Sequence, residues 1–352
     1  MKKFFTLLLA VISTMTAFAQ TEPAIELQAE VDGNTRTLTI GLGVEGTVQI
    51  DWGNGEKVTS EVIPAFDGWN QVNVSGTVSG EGKVKIYGDN IVYFECSSRV
   101  DGAQVLSLDV TKATTLKDLT ANTNKLASMD LTKNTELEKL TINNNQLTSI
   151  DISKCTKLTT LDITNNLLTA IDITKNQALQ TLRIGQNKLA GELDLSTNPT
   201  LKTVAALTNE LTSVKIGNNT ASKPWFSFNY NKLTSIDASG INDAKNATLF
   251  LTGNQLTEIK LPATQMKSLN ITKNNFTLAT LPAPSVATFF TYAPQNDYVI
   301  AESYKVGDVL DLSSQTSTTL NTQFAVYKSD KTALTEGTDY TYDAATGEIA
   351  TI

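Results

Sequence analysis

A chain of 352 residues without a single histidine lacks the commonest general base. It also lacks the Ser-His-Asp and Cys-His nucleophile systems and the usual zinc ligand. Glycine-rich phosphate loops are absent as well. Two carboxylates suffice for glycoside hydrolysis, and Glu95 and Asp162 are the pair such a reaction would use. Aromatic rings offer the other chemistry. Trp225, Phe250 and Tyr230, with Tyr93 and Arg183, could anchor a protein partner or stack on a sugar, because flat rings bury much area. What each can do depends on which way its strand points it.

All of these side chains belong to, or border, one repeating frame. Asn124, Asn145, Asn166, Asn187, Asn209, Asn231, Asn254 and Asn274 recur every 20–23 residues within L-x-x-L-x-I-x-x-N-x-L. Self-similarity at that period is the mark of a solenoid, one short strand per coil. Leu140 and Ile142 are two apart and point into the stack; Lys139 and Thr141 point out, onto what becomes the concave sheet. The recurrent Asn, with two donors and an acceptor, can satisfy backbone groups freed where the chain leaves the strand. It is therefore structural. A repeat this short leaves no room for a full convex helix, so the solenoid is mainly β.

Extending the frame gives two outward columns. One runs Tyr93, Asp118, Lys139, Thr160, Thr181, Thr203, Trp225, Thr248, Ser268; the other Glu95, Thr120, Thr141, Asp162, Arg183, Ala205, Ser227, Phe250, Asn270. Asp118 faces Lys139 and Asp162 faces Arg183 on neighbouring strands, which accounts for four charges by cross-strand pairing. Trp225 and Phe250 are diagonal neighbours with Tyr230 at the rim. They are either a binding patch or lie under the 218–224 loop or the C-terminal module, and a slip of register near Pro224 would turn Trp225 inward.

A second phrase, Leu147-Thr-Ser-Ile-Asp-Ile-Ser-Lys154 and its counterparts, aligns Asp109, Asp130, Asp151, Asp172 and Asp194 beside Lys112, Lys133, Lys154 and Lys175. Stacked carboxylates repel one another. A calcium ladder would relieve this, but calcium wants several oxygen ligands and usually a Gly-rich loop. Asp side chains capping the following turn, compensated by the lysine row, are the expected arrangement.

The ends differ. Residues 1–19 read as a secretory signal: Lys2 and Lys3, an apolar run, then Ala17-Phe18-Ala19. No later stretch is apolar enough for a membrane helix. The formal net charge of −8 becomes more negative on cleavage, which argues against nucleic acid or an anionic membrane as partner. Cys96 and Cys155 fall on different coils and opposite sides, too far apart for a disulfide. Residues 20–90 alternate as strands, with an Asn54-Gly55 hairpin signal, and form an N-terminal β cap. Residues 91–283 are the solenoid, and 284–352 a second β module.

The signal, the cap with Ile50-Asp51-Trp52-Gly53-Asn54-Gly55, the Ile-Asp-Ile-Ser/Thr-Lys phrases and the β tail resemble secreted leucine-rich-repeat proteins of the Bacteroidetes. The layout is similar to the internalins, with cap, repeats and an Ig-like tail. The resemblance implies surface display, adhesion and binding, and supplies no catalytic residues or cofactor. The expected protein is mainly β, non-catalytic, and exported to the outer surface or periplasm of a Gram-negative bacterium. It binds a protein on its concave face through Trp225, Tyr230, Phe250, Tyr93 and Arg183; the alternatives are a glycan on the same aromatics or a structural spacer. No metal, cofactor or nucleic acid is expected.

Overall fold

A computed structural model describes residues 22–62, 70–98, 103–277, 280–296, 309–311, 332–343 and 348–351. The expected signal at 1–19 lies outside the described residues, and so does most of the expected Ig-like module.

The N-terminal strands are β1 (Ile25–Ala29), β2 (Thr35–Leu42), β3 (Gly46–Asp51), β4 (Lys57–Val62), β5 (Asn70–Thr77), β6 (Lys83–Tyr87), β7 (Ile91–Glu95) and β8 (Val105–Asp109). One sheet has the order β4-β3-β6-β1-β8. The β3–β4 turn follows the Asn54-Gly55 signal, with the Asp51 carboxylate accepting from the Gly53 and Gly55 amides at 2.9 and 3.0 Å. The partner sheet is not separate from the solenoid. β5 pairs with β2, β2 pairs antiparallel with β7, and β7 is the first strand of the parallel stack. The cap thus closes the first coil by sharing its backbone hydrogen bonds, which leaves no open edge there.

From β7 the sheet continues through β9 (Asp118–Thr120), β10 (Lys139–Thr141), β11 (Thr160–Asp162), β12 (Thr181–Arg183), β14 (Thr203–Ala205), β16 (Trp225–Ser227), β18 (Thr248–Phe250), β19 (Met266–Asn270) and β20 (Ala287–Thr291). β20 lies beyond residue 283, so the parallel sheet runs one strand further than the repeat frame. From β9 to β18 each strand of this sheet spans only the outward–inward–outward triplet, whereas β7, β19 and β20 run to five residues. The central residue of a triplet, such as Leu140, Leu161 or Leu182, is fully buried. On the other side of the coils β13 (Ala190–Asp194), β15 (Glu210–Lys215) and β17 (Ser235–Asp237) form a short parallel sheet. The remaining returns are turns, with a 3₁₀ turn at Ala244–Asn246. One apolar core runs from Ala24 in the cap to Ala287 in β20. Near the C-terminus, β21 (Val309–Asp311), β23 (Glu348–Thr351) and β22 (Tyr340–Asp343) make a three-stranded antiparallel sheet. Among the described residues no helix is long and apolar enough to cross a membrane.

Two amide ladders bind the coils together. In the first, Asn166 Nδ2 donates to the carbonyls of Ile142 and Ile163 at 3.1 Å each, while its Oδ1 accepts from the Leu147 amide at 3.0 Å. The same three contacts recur at Asn145, Asn209, Asn231, Asn254 and Asn274. The residue before each ladder Asn adopts positive φ, as at Asn144, Asn165, Gln186, Thr208, Tyr230, Gly253 and Lys273. The second ladder, Asn134, Asn176, Asn198 and Asn219, is fully buried on the far side. Cys155 stands in its gap and only its thiol approaches the Leu131 carbonyl, at 3.8 Å. Cys155 and Cys96 are both buried and unbridged, and burial pushes the Cys96 thiol up to about 12.

Candidate functional site

The register of the long sheet fixes which side chains share its outer face. Thr203, Trp225 and Thr248 are direct neighbours on adjacent strands, as are Ala205, Ser227 and Phe250. Trp225 points outward because Phe226 and Phe228 take the two inward positions that Leu and Ile fill elsewhere, both buried and 6.4 Å apart. The anticipated slip near Pro224 therefore does not occur. Trp225 is 39% exposed and meets Phe250 edge-to-face, with ring centroids 5.7 Å apart and planes at 62°. That contact holds the indole in place and leaves area free.

Tyr230 stands at the rim, 54% exposed, at the positive-φ position of its coil. Its ring lies directly over Gly253, where any Cβ would come within 2.6 Å of it. Only glycine at the next coil's equivalent position allows that seat. Beside Phe250, Thr252 Oγ1 donates to Asn270 Oδ1 at 3.0 Å, and the Thr252 and Thr272 hydroxyls are 3.1 Å apart. Phe289, in the same column as Trp225 and Ser268, is exposed on β20. The repeat frame ended before Phe289 and so missed it; strand alternation in Ala287-Thr-Phe-Phe-Thr is the signal that could have found it.

The other two residues named from sequence do not join this patch. Tyr93 is on β7, six strands from Trp225, or roughly 29 Å at the usual strand spacing. It is half-buried and its hydroxyl donates to Glu95 Oε2 at 2.8 Å. Next to it Asp118 is buried, and desolvation raises its carboxyl above the usual range despite Lys139 Nζ at 3.1 Å. Arg183 is two strands from Trp225. The expected Asp162–Arg183 ion pair is not formed: they are register neighbours, but no salt bridge joins them. Asp162 accepts instead from the Thr164 amide at 3.1 Å, a local bond that costs less side-chain entropy than reaching for a long arginine.

The Asp row is a set of turn caps. Asp130 Oδ1 accepts from the Thr132 amide and hydroxyl at 2.9 and 2.7 Å, and Asp172 and Asp237 do the same with Thr174 and Ser239. The lysine row stands beside it and compensates by charge: Lys133, Lys154 and Lys175 each help lower the carboxyl of Asp130, Asp151 and Asp172. Lys112 bonds Glu22 at 2.6 Å, and Asp194 and Asp237 gain direct ion pairs from Lys215 and Lys260 of the next coil. Among the described residues no three His, Cys, Asp or Glu side chains are grouped to hold a metal ion.

These caps hold the Asp130, Asp151, Asp172 and Asp194 carboxyls below their ordinary value, mainly through hydrogen bonds from Thr or Ser. Asp237, with Lys260 as well, falls to about 2. A carboxyl depressed on folding stabilises the fold above its unfolded value, and the gain disappears as pH falls through the folded one. Urea midpoints should accordingly be flat from about pH 6 to 5 and fall between about pH 4 and 2; an unchanged midpoint at pH 2.5 would contradict the capping role.

Residues 135–175 match the family model described as Leucine Rich repeats (2 copies). No curated protein sequence matches the chain. Among solved structures, the functional domain of InlJ from Listeria monocytogenes, which includes a cysteine ladder, is 20% identical with a TM-score of 0.50; the match covers 74% of this chain and 60% of that one. YopM, a leucine-rich effector protein from Yersinia pestis, is 20% identical over 50% of this chain and 54% of its own, with a TM-score of 0.40. The chain spans under two thirds of the length of either, and the likeness to the InlJ domain is one of fold: a mainly β leucine-rich-repeat solenoid.

Proposed function

We propose that this chain is an exported, non-catalytic binding protein that recognises a protein ligand on the outer face of its long parallel sheet. The observation that carries this reading is the Trp225–Phe250 pair, a half-exposed indole braced edge-on by its neighbour and flanked on the adjacent strands by Thr, Ser, Ala and Asn. A rigid strand and a braced ring are pre-organised, so little ordering entropy is lost on binding. Arg183, two strands away and exposed, supplies charge at the patch edge. Glu95 and Asp162, the carboxylates named from sequence, stand three strands apart on this face, roughly 14 Å at the usual strand spacing and wider than the ~5–10 Å that glycoside hydrolysis uses.

Tyr230 supports a second reading. An exposed ring packed against Gly253, beside the Thr252–Asn270–Thr272 hydroxyl and amide cluster, suits stacking on a sugar ring, and such binding would be insensitive to salt.

The test is a screen of residues 20–352 against a glycan array and a panel of extracellular matrix and cell-surface proteins, alongside Trp225→Ala/Phe250→Ala. A protein hit weakened at least 30-fold in the double variant, with its urea midpoint unchanged, is the expected result. A hit confined to glycans favours the second reading. Equal binding by both forms removes the site from this face, and the absence of any hit favours a spacer.

A further inference from the structure

The cap holds a buried site of its own, independent of the sheet face. Between its two sheets is a cavity of about 150 Å³, lined by Thr35, Arg36, Thr37, Trp52, Cys96 and Ser97 among others. Arg36 is 7% exposed and Trp52 is 5% exposed. The two are neighbours: Arg36 faces Gly76 across the β2–β5 pair, and the Trp52 indole lies so close over Gly76 that a Cβ there would overlap it.

Among the described residues most of their donors find no hydrogen-bond partner. Arg36 Nε donates to the Ala103 carbonyl at 3.2 Å, but both of its terminal nitrogens and Trp52 Nε1 are buried without a hydrogen-bond partner. Asp32 approaches Arg36 only to 3.6 Å, because its two oxygens already accept from the Asn34 amide and side chain at 2.9 and 3.0 Å. The other nearby carboxylate, Glu30, is taken by Lys125 at 2.5 Å and the Gln104 amide at 3.2 Å. Leaving a buried donor unpaired costs about 1–3 kcal/mol, and these three belong to two side chains that line one cavity, one of them a guanidinium. A planar fork of two N–H groups with a third N–H beside it complements an oxyanion. The volume admits a few heavy atoms only.

We infer that the cap cavity is a binding site for a small oxyanion, a carboxylate or inorganic phosphate, held by the terminal nitrogens of Arg36 and the indole N–H of Trp52.

The experiment uses the purified chain labelled with ¹⁵N-tryptophan, its Trp52 indole resonance assigned with Trp52→Phe. Sodium acetate and sodium phosphate are titrated separately against sodium chloride at equal ionic strength. The expected result is a saturable shift of the Trp52 N–H with either or both oxyanions, no shift of the exposed Trp225 N–H, and at least tenfold weaker saturation in Arg36→Met. Saturation by acetate alone identifies a planar carboxylate site, and by phosphate alone a tetrahedral one. A Trp52 signal that follows oxyanion and chloride alike would overturn the inference and leave a cavity filled by ordered water. So would equal saturation by wild type and Arg36→Met. The wild-type titration decides the question even if Arg36→Met does not fold.

Discussion

Asn166→Ala should lower the stability of the solenoid by about 3–5 kcal/mol, measured as a fall in urea midpoint. The side chain touches no ligand-facing surface. It satisfies the carbonyls of Ile142 and Ile163 and the amide of Leu147, which belong to two successive coils and lie in the core. Alanine removes all three partners and admits no water in their place. Each buried backbone group left unpaired costs about 1–3 kcal/mol, with partial relaxation keeping the total below the sum. Because coils interact mainly with their neighbours, the loss should also broaden the transition by uncoupling the two flanking halves. Asn165→Ala, one residue earlier and exposed, is the control. It should lower stability by only about 1–2 kcal/mol, through the positive φ and the lost bond from its side-chain amide to Asn144 at 2.7 Å. If Asn166→Ala matched that control, the ladder would not be what joins the coils.

Gly240→Ala should cost about 3 kcal/mol or more, for a reason that involves no lost contact. On the far side of the coils the chain at Gly240 passes so near Gly217 that a Cβ would sit 1.7 Å from the Gly217 carbonyl oxygen. Flexible side chains can step aside; a carbonyl fixed in a stacked turn cannot. Separating the turns would break the bond from the Asn219 amide to the Gly240 carbonyl at 2.8 Å and that from the Asn242 amide to Asn219 at 3.1 Å. Overpacking against side chains usually costs about 1–3 kcal/mol, and a backbone obstacle belongs at or above the top of that range. A variant within about 1 kcal/mol of wild type would mean that these turns are loosely stacked.

The repeat made most of this architecture readable in advance. Period-two alternation over each triplet places Leu140, Leu161 and Leu182 inside and the two outward columns outside, and the register repeats coil after coil. Trp225 kept its outward position because Phe226 and Phe228 preserve the apolar frame across a 22-residue interval. What depended on packing rather than pattern was not readable. The second Asn ladder shows in the sequence only as Asn134 and Asn176 on either side of Cys155, and nothing in that column says that their amides bond buried carbonyls of the neighbouring coils. Asp162 chose a cap two residues away over an arginine across the strand, a competition that spacing cannot decide. Tyr230 needs Gly253 beneath it, a relation between two positions that carry different residues in every other coil. The Arg36–Trp52 cavity joins residues on two different sheets, and nothing periodic links them. Which carboxylate a lysine of the row would bond was equally unreadable, since a long flexible side chain can reach several, and Lys112 found Glu22.

A binding protein of this shape should separate stability from recognition. Asn166 and Gly240 hold the coils together, whereas Trp225, Phe250 and Tyr230 contribute exposed area that the fold does not need. The most direct measurement is therefore the dissociation constant of wild type and of Trp225→Ala for a ligand found in the screen, by calorimetry on samples with equal urea midpoints. The proposed role of the sheet face predicts a loss of about 2 kcal/mol or more, some 30-fold in affinity. Affinities within threefold of each other would contradict it and place recognition away from the aromatic patch.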